Sequence, residues 1–185
     1  MASEVGICNR GLQILGAARI VSLTEDTKNA RECNTAYTAL RDAELRRHPW
    51  SFAVARAKLA PSATGPVFGP AYQYPLPSDC LRILPSNTVD DWQIEGRNLL
   101  TDDGTSLELR YVRQIDDPNL FDALFREALS ARIAYELCER ITQSNTKKQA
   151  AKDAYLNAIA EAKKANAIER VSTEFPEDPW LAARR

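Results

Sequence analysis

Helical periodicity in this chain stops at Pro49 and does not resume until Asp117-Pro118. Proline lacks an amide proton and drives the residue before it, here His48, out of helical geometry. Between these two points Pro, Gly and Asp cluster at short intervals and apolar residues alternate with polar ones, as in strands joined by turns. The order along the chain is helix, helix, β-rich segment, helix, helix, tail. The fold class expected is α+β, mainly α. An antiparallel bundle of four main helices (1–49 and 116–170) carries a β-rich insert (50–115) between helices 2 and 3, and an extended tail (171–185) follows.

The helical parts carry their own start and stop signals. Ser3 caps a first helix with a stripe of Val5, Cys8, Leu12 and Leu15, and Gly16 ends it. Ile20, Val21 and Leu23 form an apolar link. Thr24 or Thr27 opens a second helix on Ala30, Cys33, Tyr37 and Leu40. Glu25 and Asp26 lie at its positive end, and Arg46, Arg47 and His48 at its negative end, the signs a helix dipole favours. Asp117 before Pro118 opens a third helix to Gln143. Its wide apolar face (Leu120, Phe121, Leu124, Phe125, Ala128, Ile133, Leu137, Cys138, Ile141) marks the centre of the core. Ser144 caps a fourth helix to about Glu169, with a seam of Ala151, Ala154, Tyr155, Ala158, Ala162 and Ala165. Lys147, Lys148, Lys152, Lys163 and Lys164 cover its other surface, which reads as a solvated face.

In the middle, 50–59 reads as a strand with Phe52 and Val54 inward, and 61–70 as a Pro/Gly loop. Tyr72 to Pro77 reads as an edge strand, because proline cannot complete a ladder. Ser78 and Asp79 cap a single turn over Cys80 to Arg82. Short strands over 92–95 and 97–101 turn at Glu95-Gly96. Asp102-Asp103-Gly104 signals a tight turn before a strand on Leu107, Leu109 and Tyr111. The tail holds Phe175, Pro176, Trp180, Arg184 and Arg185. Its aromatic anchors need either this domain or a neighbour to pack on.

Hydrophobic residues make up 44% and charged residues 26%, which suits a folded domain of 185 residues. The formal net charge of −1 excludes a global basic field. The N-terminus lacks the pattern of a signal peptide, and no stretch approaches a membrane span, so the expectation is a chain made in a cytoplasm with no membrane anchor. Cys8, Cys33, Cys80 and Cys138 fit no zinc spacing and read as free thiols, mostly buried.

Chemistry is sparsely represented. The single histidine, His48, sits at a helix end, where its bland role is to favour the dipole. The acid pairs Asp90-Asp91, Asp102-Asp103 and Asp116-Asp117 each lie where turns or helix starts want aspartate. Glu127, Glu136 and Glu139 are the acids that one cleft-facing carboxyl of a hydrolase would draw on. The glycines around Pro66 and Pro70 match no phosphate-binding loop. No cofactor or metal is expected. What remains is surface: an edge strand with two tyrosines, long loops, an alanine seam and an aromatic tail.

Three stretches together resemble the tail tubular protein A family of short-tailed phages. They are "EVGICNRGLQILGAARIVSLTEDTKNARECNTAYTALRDAELRRHPWSFAVARAKLA", "YQYPLPSDCLRIL" and "LRYVRQIDDPNLFDALFREALSARIAYELCERITQS". The resemblance spans Glu4 to Lys164 and rests on the order of the stretches, not on one short motif. It implies a head-to-tail adaptor in the virion tail, assembled in the host cytoplasm. Such a protein forms a homo-oligomeric ring, usually a dodecamer, between the portal protein and the tail nozzle (tail tubular protein B). Genomic double-stranded DNA passes through the lumen without sequence-specific binding. On this reading the tail residues Phe175, Pro176, Trp180, Arg184 and Arg185 bind the portal. Val67, Phe68, Tyr72, Tyr74 and Trp92 contact the nozzle or the neighbouring subunit. The chain is then a structural subunit and not an enzyme. The competing readings are a virion-associated peptidoglycan hydrolase and a nucleic-acid binder using the lysine face of the fourth helix.

Overall fold

Helix starts in this chain are set by side chains that satisfy the first free amides. The Ser3 hydroxyl accepts from the Gly6 amide at 3.0 Å and opens α1 (Glu4–Leu15). Gly16, at φ 69°, closes it with the left-handed cap that glycine adopts at low cost. In a computed structural model of the chain, which describes residues 1–85 and 91–169, three further helices follow. Thr27, not Thr24, caps α2 (Lys28–Arg47). Asp122 caps α3 (Ala123–Thr142) by accepting from the Leu124 and Phe125 amides, and Ser144 caps α4 (Asn145–Ile168). Glu25 does not serve the dipole of α2. Its carboxylate accepts from the Val21 and Ser22 amides and folds the link back on itself. Within that link Ile20 is buried, clamped by both side-chain atoms of Asn9, while Val21 is exposed.

Among the described residues six strands form two antiparallel three-stranded sheets. They are β1 (Val54–Leu59), β2 (Tyr72–Pro75), β3 (Cys80–Leu84), β4 (Gln93–Glu95), β5 (Asn98–Thr101) and β6 (Leu107–Arg113). The larger sheet runs β1-β6-β3 and the smaller β2-β5-β4, so β2, with Pro75, is an edge as its composition requires. One face of the larger sheet packs on the smaller through Tyr74, Leu99, Leu107, Leu109 and Tyr111. Its other face contributes Leu84 and Val112 to the buried cluster that fills the space between the helices.

This overturns the expected mainly α bundle with an insert. The protein is α+β, and its described residues are roughly half helical, with four α-helices and two small sheets among them. The larger sheet shares its core with the helices, because alternation in β6 gives it an apolar face on both sides near Tyr111 and Val112. α3 is the element that α1, α2 and α4 all pack against.

Local expectations fail in five places. The strand expected from Trp50 starts only at Val54, after a 3-10 turn over Ser51–Ala53. The turn carries Trp50 and Phe52 into one cluster with Phe121 and Phe125, ring centroids 5.0–6.1 Å apart. The third helix does not run unbroken from Pro118. A 3-10 turn over Pro118–Leu120 ends so that Phe121 can enter that cluster, which leaves Leu120 exposed. Cys80 to Arg82 is not a turn but the start of β3, since pairing with β6 outweighs the local cap. Asp102 to Gly104 does not close a hairpin, because β5 and β6 belong to different sheets and the segment crosses between them. On α4, Ala154 is exposed and the seam is completed instead by Ile159 and Asn166.

No helix among the described residues is long and apolar enough to cross a membrane. Where α1 meets α3, Gly11 lies so close that a β-carbon there would stand 2.9 Å from the Ser130 carbonyl oxygen. Gly11→Ala is therefore expected to destabilise the protein by about 1–3 kcal/mol through overpacking, seen as a lower urea midpoint.

Candidate interaction surfaces

The residues singled out for chemistry are used for structure. His48 stacks edge-on against Trp50, and its Nε2 lies 3.0 Å from Asn166 Nδ2. The same Asn166 accepts from the Ser51 amide at 2.7 Å and its hydroxyl at 2.5 Å, so one buried amide ties the end of α4 to the corner before β1. Asp102 accepts from the Ala71 amide, Asp103 from Thr105, and Asp117 from Asn119. Asp116 pairs with the buried Arg41 at 2.9 Å. Asp90 lies outside the described residues.

The three acids of α3 each face a cation: Glu127 with Arg10 at 3.1 Å, Glu136 with Arg132 at 3.4 Å, and Glu139 with Lys148 at 2.5 Å. The hydrogen bond and charge of Lys148 hold the Glu139 carboxyl below its ordinary range. That is the opposite of what a general acid needs. Among the described residues no three His, Cys, Asp or Glu side chains come together as a metal site would require. On α4, Lys147 donates to the Leu15 carbonyl and Lys148 is in its ion pair, so the lysine face is partly engaged.

A buried polar hub that the sequence reading missed lies between α2, α3 and α4. Glu44, 2% exposed, accepts from the Tyr155 hydroxyl at 2.7 Å. Arg47 and Arg132 stand 3.5 and 3.8 Å from the same oxygen, and both guanidinium groups lie over the Tyr155 ring. The second Glu44 oxygen accepts no hydrogen bond among the described residues. In sequence, the only signal was a glutamate three residues before an arginine at a helix end. Nothing local could supply Arg132 or Tyr155.

The contact residues expected from the resemblance fall into three groups. Val67 and Phe68 are 98% and 88% exposed, and Tyr72 is 40% exposed on the edge of the smaller sheet. Trp92 is half-buried against the second cluster. Tyr74 is fully buried, with its hydroxyl 2.6 Å from the Asp103 and Thr105 carbonyl oxygens, so it is a core residue and not a contact. Alternation along β2 put both tyrosines on offer, and the sheet chose one for the core. Phe175, Pro176, Trp180, Arg184 and Arg185 lie outside the described residues.

The 61–70 loop that carries Val67 and Phe68 is pinned. The Ser62 amide donates to the Gln73 carbonyl at 2.8 Å, Gln73 Nε2 to the Thr64 carbonyl at 2.8 Å, and the Ala71 amide to Asp102 at 2.9 Å. A β-carbon on Gly65 would stand 2.9 Å from the Ala71 carbonyl oxygen, so the loop folds tightly on its own stem. Beneath it lies a cleft of about 530 Å³ floored by Gln73, Gln93, Asn98 and Leu100. Ile94, 46% exposed, lies on the opposite face of the smaller sheet, paired with Leu99. No family model and no curated protein matches this chain.

Burial and the bond to Glu44 push the Tyr155 hydroxyl up to about 12, from an ordinary value of 10.0. The protonated form is thus favoured in the folded state. Its contribution is complete below pH 10 and is lost as pH rises towards 12. Folding stability is expected to fall across that window. Chemical denaturation at pH 9 to 12 should show a shallower fall in Tyr155→Phe, at the cost of about 1–3 kcal/mol at neutral pH from the hydrogen bond that Glu44 loses.

Proposed function

We propose that this protein is a head-to-tail adaptor of a short-tailed phage, a virion structural subunit whose copies form a ring joining the portal to the tail nozzle around the DNA channel. The observation that carries this reading is the exposed apolar tip, Val67 and Phe68, of a loop whose stem is hydrogen-bonded to Gln73 of β2 at Ser62 and Thr64. Large apolar side chains held in water by an ordered loop are costly for a monomer and suit a docking contact. A closed ring would cover the tip in every copy at once. The sequence resemblance from Glu4 to Lys164 supplies the identity of the partners. No observation favours the hydrolase over this reading, since its candidate acids are all ion-paired.

Mass photometry of a portal ring with and without this protein tests the proposal. The expected gain is about twelve chains of 20.6 kDa each. An unchanged portal mass with folded protein present removes the adaptor reading. Val67→Ser with Phe68→Ser is expected to weaken ring or nozzle docking at least about tenfold, while the urea midpoint stays within about 0.5 kcal/mol of the parent. Deleting 171–185 is expected to weaken portal binding and leave the fold intact, and an unaltered portal affinity would show that the tail has no such role.

A further inference from the structure

The larger sheet carries a row of cations on the face turned away from the smaller one. The register places Arg56 of β1 directly opposite Arg110 of β6, and Lys58 opposite Glu108. Residues on adjacent strands at such positions lie about 5 Å apart, where like charges repel. Arg82 of β3 sits opposite Val112, two residues along from Arg110 on the same face. Arg46, at the end of α2, reaches over to donate to the Leu81 carbonyl. Arg82 and Arg110 likewise spend guanidinium donors on backbone carbonyls, those of Arg47 and Pro85. None of Arg46, Arg56, Arg82 and Arg110 is ion-paired with a carboxylate among the described residues.

Arg56, Lys58 and Arg110 line an open cleft of about 520 Å³ with Pro85 and one acid, Glu108. In a chain of net charge −1, this is a marked local excess of positive charge. A sheet that sets two arginines side by side gains if an anion joins them, and paired guanidinium forks match phosphate oxygens.

We propose that this face binds the phosphodiester backbone of double-stranded DNA, through Arg56 and Arg110 with Lys58 and Arg82 extending the contact. One observation favours DNA over an acidic protein: the described residues that line the cleft include no exposed aromatic or large apolar anchor of the kind protein interfaces rely on. A second favours a duplex over a single strand: no aromatic side chain is among those described lining residues, and single-stranded bases stack on such side chains. Contact is with the backbone and independent of base sequence. The proposal deepens the adaptor reading and rests on it for the choice of duplex DNA as the nucleic acid.

The test is fluorescence anisotropy of a labelled DNA duplex titrated with the full chain across a salt series. Binding is expected to weaken steeply with salt and to be indifferent to duplex sequence. Arg56→Gln with Arg110→Gln should lower affinity at least about tenfold and reduce the salt slope by about two. Arg56→Lys with Arg110→Lys should keep most of the slope. Thermal melting of the Gln variant should match or exceed the parent, since a like-charge pair is removed. A control pair on α4, Lys152→Gln with Lys164→Gln, should leave binding unchanged. The proposal is overturned if the parent does not bind duplex DNA, if the Gln variant binds like the parent, or if the α4 pair abolishes binding instead. It is also overturned if polyglutamate of equal charge competes as well as DNA. DNA binding without portal docking would sustain this face while removing the adaptor reading. Docking without DNA binding would do the reverse.

Discussion

Four aromatic rings hold the two places where the chain changes character. Trp50 and Phe52 lie where it leaves the helices for the sheets, and Phe121 and Phe125 where it returns. Trp50 is 1% exposed, and its indole nitrogen donates to the Glu44 carbonyl at 2.9 Å, so the cluster is also fixed to the end of α2. Truncating a buried ring of this size costs about 3–5 kcal/mol, a large share of the stability of a domain this small. Both 3-10 turns, over Ser51–Ala53 and Pro118–Leu120, serve to bring these rings together. The larger sheet is then held to the helices at both of its chain connections.

Next to this apolar corner lies a polar one. Glu44, Tyr155, Arg47 and Arg132 join α2, α3 and α4 around one carboxylate. Removing one partner of such a cluster leaves a buried charge without its partner, which is why it fixes the relative placement of the helices more firmly than its net energy suggests. Arg41 does the same between α2 and the segment after β6, through Asp42 and Asp116. Asn166 then ties the end of α4 to the aromatic corner. The helices are therefore positioned by buried polar contacts as well as by apolar stripes.

With the interior so occupied, the surfaces proposed for contact lie in the β-rich half. The loop between β1 and β2 offers an apolar tip, and the larger sheet a cationic face. The larger sheet has a cationic face because β1 and β6 alternate over 56–59 and 107–110. Ala57, Leu59, Leu107 and Leu109 turn inward to the smaller sheet, and Arg56, Lys58, Glu108 and Arg110 turn outward. The contacts proposed for the apolar tip and the cationic face would together suit a subunit that holds proteins around a duplex.

What the sequence determined by itself was local. Ser3, Gly16, Thr27 and Ser144 mark helix ends because caps act within one turn of chain. Pro75 marks an edge because a missing amide cannot be supplied from elsewhere. The resemblance of three ordered stretches suggested the partners. Tertiary structure decided whatever depends on residues far apart. It buried Tyr74 and left Tyr72 outside, turned 80–82 from a capped turn into a strand, and broke the third helix at Phe121. It also gathered Glu44 with Tyr155 and set Arg56 beside Arg110. Strand pairing and ring burial are long-range contacts whose free energy exceeds local propensity, so no window of sequence contains the information that settles them.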